Sequence, residues 1–199
     1  MPDLRIAVIT GTTREGRFSE KVARWVVGFL ATHAPELSVE VADLRDHPLP
    51  FFFGQNPARA PRAYPAPEVE RLGQLIDRAD GYLVLTGEYN HGYPAVLKNA
   101  LDWFFVEWRR KPMAFVGWGN VGGARAIEQL RDVAVELGMA PLRHAVHVLP
   151  EILIAARSTE PDDVSAFAPL EPKLELAVDD LTWWAAALQA ARAAATQPA

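Results

Sequence analysis

The 199-residue sequence has no cysteine, which removes a disulfide scaffold, a thiolate nucleophile and any cysteine-bound zinc centre. Positive charge is in deficit. Twenty Lys and Arg stand against 25 Asp and Glu, for a formal net charge of −5. A nucleic-acid or anionic-membrane surface would need the opposite balance, so neither partner is expected. No apolar run is long enough to span a bilayer. The start, Met1-Pro2-Asp3-Leu4-Arg5, places an acid where a secretion signal needs a basic region and runs straight into a strand pattern. The expectation is a cytoplasmic protein.

Apolar material, in contrast, is plentiful. Half the chain is hydrophobic, with nine Phe and six Trp, enough to bury a full core without metal or cross-link. No linker or internal repeat interrupts it, so residues 1–199 read as a single domain. The pattern alternates between short β-branched runs and amphipathic stretches. Strands are expected at 4–10, 37–44, 81–86, 113–118 and 144–149. Helices are expected over 19–33, around Val69–Ala79, after Pro94, and around Ile127–Leu137. A long C-terminal helix runs from Leu170 past Leu188, with its Ala-rich end and Gln197-Pro198-Ala199 frayed. Five strand–helix alternations imply a doubly wound parallel sheet with helices on both faces. Ligands of such sheets sit at the carboxyl ends of the strands. One irregular stretch, 45–67, is proline-rich and carries Phe51-Phe52-Phe53. A connection that long is usually functional or disordered, and three consecutive phenylalanines argue against plain disorder.

The first strand opens into Thr10-Gly11-Thr12-Thr13-Arg14-Glu15-Gly16-Arg17-Phe18-Ser19. Small residues, hydroxyls, two guanidinium groups and a helix start are the parts of an anion site. Gly11 and Gly16 have nucleotide-triphosphatase spacing, but Arg17-Phe18 occupy the places of the required Lys and Ser/Thr. The loop is not GxGxxG either, so a monophosphate fits better than a dinucleotide. After the third strand, Gly87 to Trp103 offers aromatic faces and polar backbone to a flat heteroaromatic ligand. After the fourth, Gly117-Trp118-Gly119-Asn120-Val121-Gly122-Gly123 lets backbone approach a ring closely.

Glu88-Tyr89-Asn90-His91-Gly92-Tyr93-Pro94, continued by Lys98-Asn99-Ala100-Leu101-Asp102-Trp103, resembles the signature of the NAD(P)H-dependent FMN reductase family. That family is flavodoxin-like and includes quinone, chromate and azo-dye reductases. Gly11, Thr12, Arg14 and Ser19 resemble its phosphate motif, and Gly117 to Gly123 its third flavin loop. The resemblance covers roughly residues 4 to 150 and implies a flavodoxin-like five-stranded sheet with bound FMN. It places the phosphate at Thr12, Arg14, Arg17 and Ser19, with Phe18 closing the loop, and the flavin ring against Glu88, Tyr89 and Asn90, near Gly119 and Gly122. It also implies NADPH or NADH as hydride donor, a small-molecule acceptor such as a quinone, and a homodimer or homotetramer. Three positions depart from the pattern. Gly87 replaces the usual proline, Thr12 replaces serine, and Arg17 stands where a small polar residue is common, so it either strengthens phosphate binding or reaches elsewhere.

No obligatory catalytic side chain and no metal ligand is expected, because the chemistry belongs to the cofactor. His91 reads as an exposed loop histidine rather than a proton donor. His144 and His147 read as structural, Lys98 and Asp102 as a surface pair, and Asn99 as an anchor of its own loop. Glu160-Pro161-Asp162-Asp163 reads as a solvated acidic turn that could cap a helix, and Trp183 and Trp184 as core or interface. Trp103, Phe104, Phe105 and Trp108 put apolar residues on more than one face of their helix, which suggests a partner subunit. A flavodoxin-type electron carrier is the alternative, but such carriers have Arg-poor phosphate loops. A two-component receiver shares the fold and needs an acidic cluster where Thr10-Gly11-Thr12 stands.

Overall fold

The structure, a computed structural model, describes residues 3–196; of the end expected to fray, Gln197 to Ala199 lie outside them, while the Ala-rich stretch before them stays helical to Thr196. Five strands, β1 (Arg5–Thr10), β2 (Ser38–Asp43), β3 (Gly81–Gly87), β4 (Pro112–Trp118) and β5 (Ala140–Val148), form one parallel sheet. Their order is β2-β1-β3-β4-β5. β3 and β4 are buried at every position, as strands covered on both faces must be. The edge strands β2 and β5 are the mixed ones.

Helices α1 (Ser19–His33), α2 (Pro67–Arg78), α3 (Ala95–Asp102), α4 (Ala124–Glu136), α5 (Pro150–Arg157) and α6 (Glu171–Thr196) complete the chain. Side chains alternate across the sheet, so two cores result. Val8, Leu83, Leu85 and Val116 meet Val22, Val26 and Leu174 on the α1/α6 side. Ile9, Val84 and Phe115 meet Leu72, Ile76, Leu97 and Ile127 on the other. α2 starts where sequence chemistry says it should, with Pro67 in the first turn, acids Glu68 and Glu70 beside it and Arg78 in the last turn.

Several expectations change. β5 begins at Ala140, four residues before His144, because Pro112 pairs with Ala140 and Met113 with Pro141 ahead of a bulge; an edge strand tolerates that proline. α5 and a 3₁₀ segment at Ser165–Leu170 were not anticipated. Asp163 accepts from the Ser165 N–H at 2.9 Å, two residues along, without capping the segment, whose N-cap is Val164. The surplus aromatics after Pro94 need no partner. α3 ends at Asp102, and Trp103, Phe104 and Trp108 turn back into the core of their own chain. Trp183 is 66% and Trp184 40% exposed, so of the two readings for this pair, core is ruled out.

The long connection between β2 and α2 is pinned at its middle. Asn99 accepts from the Phe52 N–H and donates to the Pro50 carbonyl, each at 2.9 Å, and Trp103 Nε1 donates to the same carbonyl. Asn99 thus anchors the phenylalanine loop rather than its own.

Candidate active site

The chain leaves β1 outward to β2 and then crosses back to β3, so the loops after β1 and β3 diverge at the strand ends. This reversal is the position where doubly wound sheets bind ligands. A cavity of about 330 Å³ opens there, lined by the first loop, by Glu88 and Tyr89, by Trp118 and Gly119, and by Leu153 and Arg157. A larger hollow of about 410 Å³ lies along α1 towards His33, at the other end of the strands, so size is a poor guide here. The trio His33, Glu175 and Asp179 brings ligand atoms within 4.8 Å of one another. It is exposed and equally far from the strand ends.

The first loop has the donors an anion needs. Among the described residues, no carbonyl takes the main-chain N–H groups of Thr13 through Phe18. Thr12 and Ser19 are buried, with their hydroxyl oxygens hydrogen-bonded at 2.7 Å. Among the described residues Arg14 has no carboxylate partner, and it lies over the Tyr89 ring at 5.1 Å. Unclaimed N–H groups, a helix start and a free guanidinium are suited to a phosphomonoester.

Arg17 is different. Its guanidinium donates to Asp43 with both Nη atoms, to Glu20 at 3.0 Å and to the Thr12 carbonyl at 2.6 Å. The hydrogen bond to Asp43 is the main cause holding its pKa above the ordinary value. Arg17 lines the cavity, but most of its donors are spent tying the loop to the end of β2. Of the two roles open to it, the structure favours reaching elsewhere.

The ring side is built by the second and third loops. Tyr89 and Gly92 exchange main-chain hydrogen bonds of 2.8 and 3.0 Å around Asn90 (φ 50°) and His91 (φ 68°). Two consecutive left-handed residues close a type I′ turn, and non-glycine residues there mark a strained, specified geometry. His91 is exposed, as expected. Glu88 spends its carboxylate on Arg125, through Nε at 2.7 Å, through Nη2, and through the main-chain N–H at 3.2 Å. It fastens the second loop to the start of α4. Gly87 lies at the end of β3, packed against Trp118. A Cβ there would lie 2.9 Å from Trp118 Nε1, so the indole occupies the space. Gly122 (φ 63°) is forced by its contact with β5, where a Cβ would meet His147 Cβ at 2.6 Å; its carbonyl faces His147 Nδ1 at 3.0 Å.

Of the residues expected at the site, the cavity gathers Thr12, Arg14, Arg17, Phe18, Glu88, Tyr89 and Gly119. Ser19 sits behind Thr12, while Asn90 and Gly122 shape their loops outside the lining. Reading the sequence missed Leu153 and Arg157. Pro150 directly after β5 was the available signal, since it marks another helix starting at a strand end.

The fold and this site define a flavodoxin-like protein with a phosphate cradle beside an aromatic slot. The family model for NADPH-dependent FMN reductases matches residues 4–152, and the chain belongs to that family. It is 34% identical over 160 residues to an NAD(P)H-dependent FMN reductase of Schizosaccharomyces pombe, covering 79% of each chain. It is 37% identical over 145 residues to a 2-hydroxy-1,4-benzoquinone reductase of a Burkholderia species, covering 67% of this chain and 72% of the relative. Among solved structures, the flavoenzyme NAD(P)H:(acceptor) oxidoreductase FerB of Paracoccus denitrificans superposes with a TM-score of 0.66 at 25% identity, over 88% of this chain and 96% of that one.

Proposed function

We propose that this protein is an FMN-dependent oxidoreductase that takes hydride from NADPH or NADH and delivers electrons to a small-molecule acceptor such as a quinone. The observation that carries this reading is the cradle of unclaimed N–H groups and Arg14 placed directly beside Tyr89 and Trp118. Bound FMN supplies the hydride-accepting ring. The protein's part is positional. Thr12, Arg14 and the first-loop N–H groups hold the phosphate, with Ser19 behind them. Tyr89, Trp118 and the backbone at Gly119 border the ring, and the Glu88–Arg125 tie keeps that border fixed.

The whole chain acts as one FMN-binding domain in the cytoplasm. Among the described residues, no helix is long and apolar enough to cross a membrane. We further assign it a homodimeric assembly roofed by the phenylalanine loop, whose Phe51 is 83% and Phe53 68% exposed. A monomer seldom carries such a patch without use.

The test is a spectrum of the purified protein with added FMN, then anaerobic addition of NADPH or NADH. Bleaching of the bound flavin, its return on adding benzoquinone, and parallel double-reciprocal lines are expected. Bound flavin that neither nicotinamide reduces would indicate an electron carrier instead.

A further inference from the structure

We propose that Arg157, at the end of α5 and outside the segment the family model matches, is a phosphate-binding residue and the second cation of the cradle. The inference rests on the FMN reading above.

A phosphomonoester carries about −1.5 to −2 charges near neutrality, so a cradle built for it should supply roughly two free cations. The sequence offers Arg14 and Arg17, but Arg17 is committed to Asp43, Glu20 and the Thr12 carbonyl. Arg157 fills the deficit. It lines the same cavity as Thr12 and Arg14, and its guanidinium lies 5.5 Å over the ring of Phe18, the residue immediately before α1. No carboxylate among the described residues pairs with it. Glu15, which also borders the cavity, is exposed and free to face solvent.

The backbone that carries the exposed Arg157 side chain is held in place. Ala156 beside it is fully buried. Lys21 on α1, also buried, donates to the Ala156 carbonyl, to Thr159 Oγ1 at 2.7 Å and to the Glu160 carbonyl at 2.8 Å. That cluster clamps the end of α5 to the first turn of α1, directly after the loop whose N–H groups are unclaimed. Lys21 thereby spends its own donors on carbonyls and the Thr159 hydroxyl, and the Arg157 guanidinium, over Phe18, pairs with no carboxylate among the described residues. A planar guanidinium resting on an aromatic face is a preorganised donor for a phosphate oxygen.

The test uses the full-length apoprotein, titrated with FMN and with riboflavin and followed by quenching of flavin fluorescence. Arg157→Met keeps an apolar stem over Phe18 and removes the charge. FMN affinity should fall about tenfold to a hundredfold, riboflavin affinity should hold, and the preference for FMN should shrink accordingly. Arg157→Lys should restore part of the loss. The thermal midpoint of the apoprotein should not move, which separates ligand binding from a structural role. Unchanged FMN affinity in Arg157→Met, or equal losses for both flavins, overturns the assignment while leaving the FMN reading intact. A wild-type protein that binds neither flavin overturns both.

Discussion

Arg17 and Asp43 face each other as a two-pronged ion pair, with Nη1 2.6 Å from Oδ1 and Nη2 on Oδ2. The Arg17 side chain is 4% and that of Asp43 19% exposed, so the pair is largely withdrawn from water. It joins the first loop to the end of β2. Arg17→Ala should therefore lower stability by about 1–3 kcal/mol, read by urea denaturation of the apoprotein. Its effect on FMN affinity should be smaller than that of Arg14→Ala. The opposite ordering would return Arg17 to the phosphate.

Arg14 makes the complementary case. Among the described residues its guanidinium has the Tyr89 face and no carboxylate for company, and it is exposed. Arg14→Ala should leave the unfolding midpoint near that of wild type while weakening FMN about tenfold to a hundredfold. Riboflavin, which lacks the phosphate, should be scarcely affected. A common loss for both flavins in calorimetric titration would place Arg14 at the ring instead.

The contrast between these two arginines shows what the sequence could convey. The succession of strands and helices, the two-sided covering of the sheet and the three strand-end loops were legible because periodicity and loop chemistry are local. So was the central motif from Glu88 to Trp103. What each polar side chain does inside its loop was not legible, because that depends on partners far along the chain. Arg17 meets Asp43 and Glu88 meets Arg125, and neither pairing leaves a trace in spacing. Trp108 looked like a candidate for an interface because its destination, 1% exposed against Tyr82 at 4.8 Å, is set by tertiary packing. Arg157 was overlooked for another reason. The eight-residue α5 is too short to give a clear period.

The type I′ turn at Asn90-His91 offers a test of strain. His91 holds φ 68° without a role for its exposed ring. His91→Gly relieves the left-handed cost and gives back some chain entropy, for a net gain of a few tenths to about 1 kcal/mol. Thermal denaturation should register the increase. The pH profile of quinone turnover should stay that of wild type; a lost limb would make His91 a proton donor after all.

Lys111 carries a stability prediction that depends on pH. Burial pushes its ammonium down to about 8, although Nζ donates to the Ile76 and Asp77 carbonyls at 2.9 and 2.7 Å in the last turn of α2. In the unfolded chain the group titrates near ~10.4. Between those values the unfolded state holds the extra proton, so wild-type stability gains as pH rises through the window; below it the burial cost is fully present. Wild type should gain on the order of 1–3 kcal/mol relative to Lys111→Met between pH ~8 and ~10.4. Urea denaturation of both proteins across that range checks it, and a flat difference would show that the ammonium is not buried in solution.

The last prediction concerns the phenylalanine loop. Phe52 and Phe53 lie edge-on to Trp103 at 5.0 and 5.4 Å, and Asn99 fixes the loop backbone at Pro50 and Phe52. The loop is thus held in place while most of the Phe51 and Phe53 surface faces outward. An anchored apolar patch loses little entropy on docking, which favours association. Burying one phenylalanine is worth about 1.5–3 kcal/mol, so replacing both by serine should weaken dimerisation by on the order of a hundredfold or more. Sedimentation at micromolar concentration should show wild type as a dimer or larger assembly and the double variant shifted to monomer. FMN binding should survive, because Thr12, Arg14 and the first-loop N–H groups come from one protomer, whereas quinone turnover should drop with the roof removed. A wild-type monomer that is fully active at nanomolar dilution would end the shared-site idea and leave the patch to some other partner.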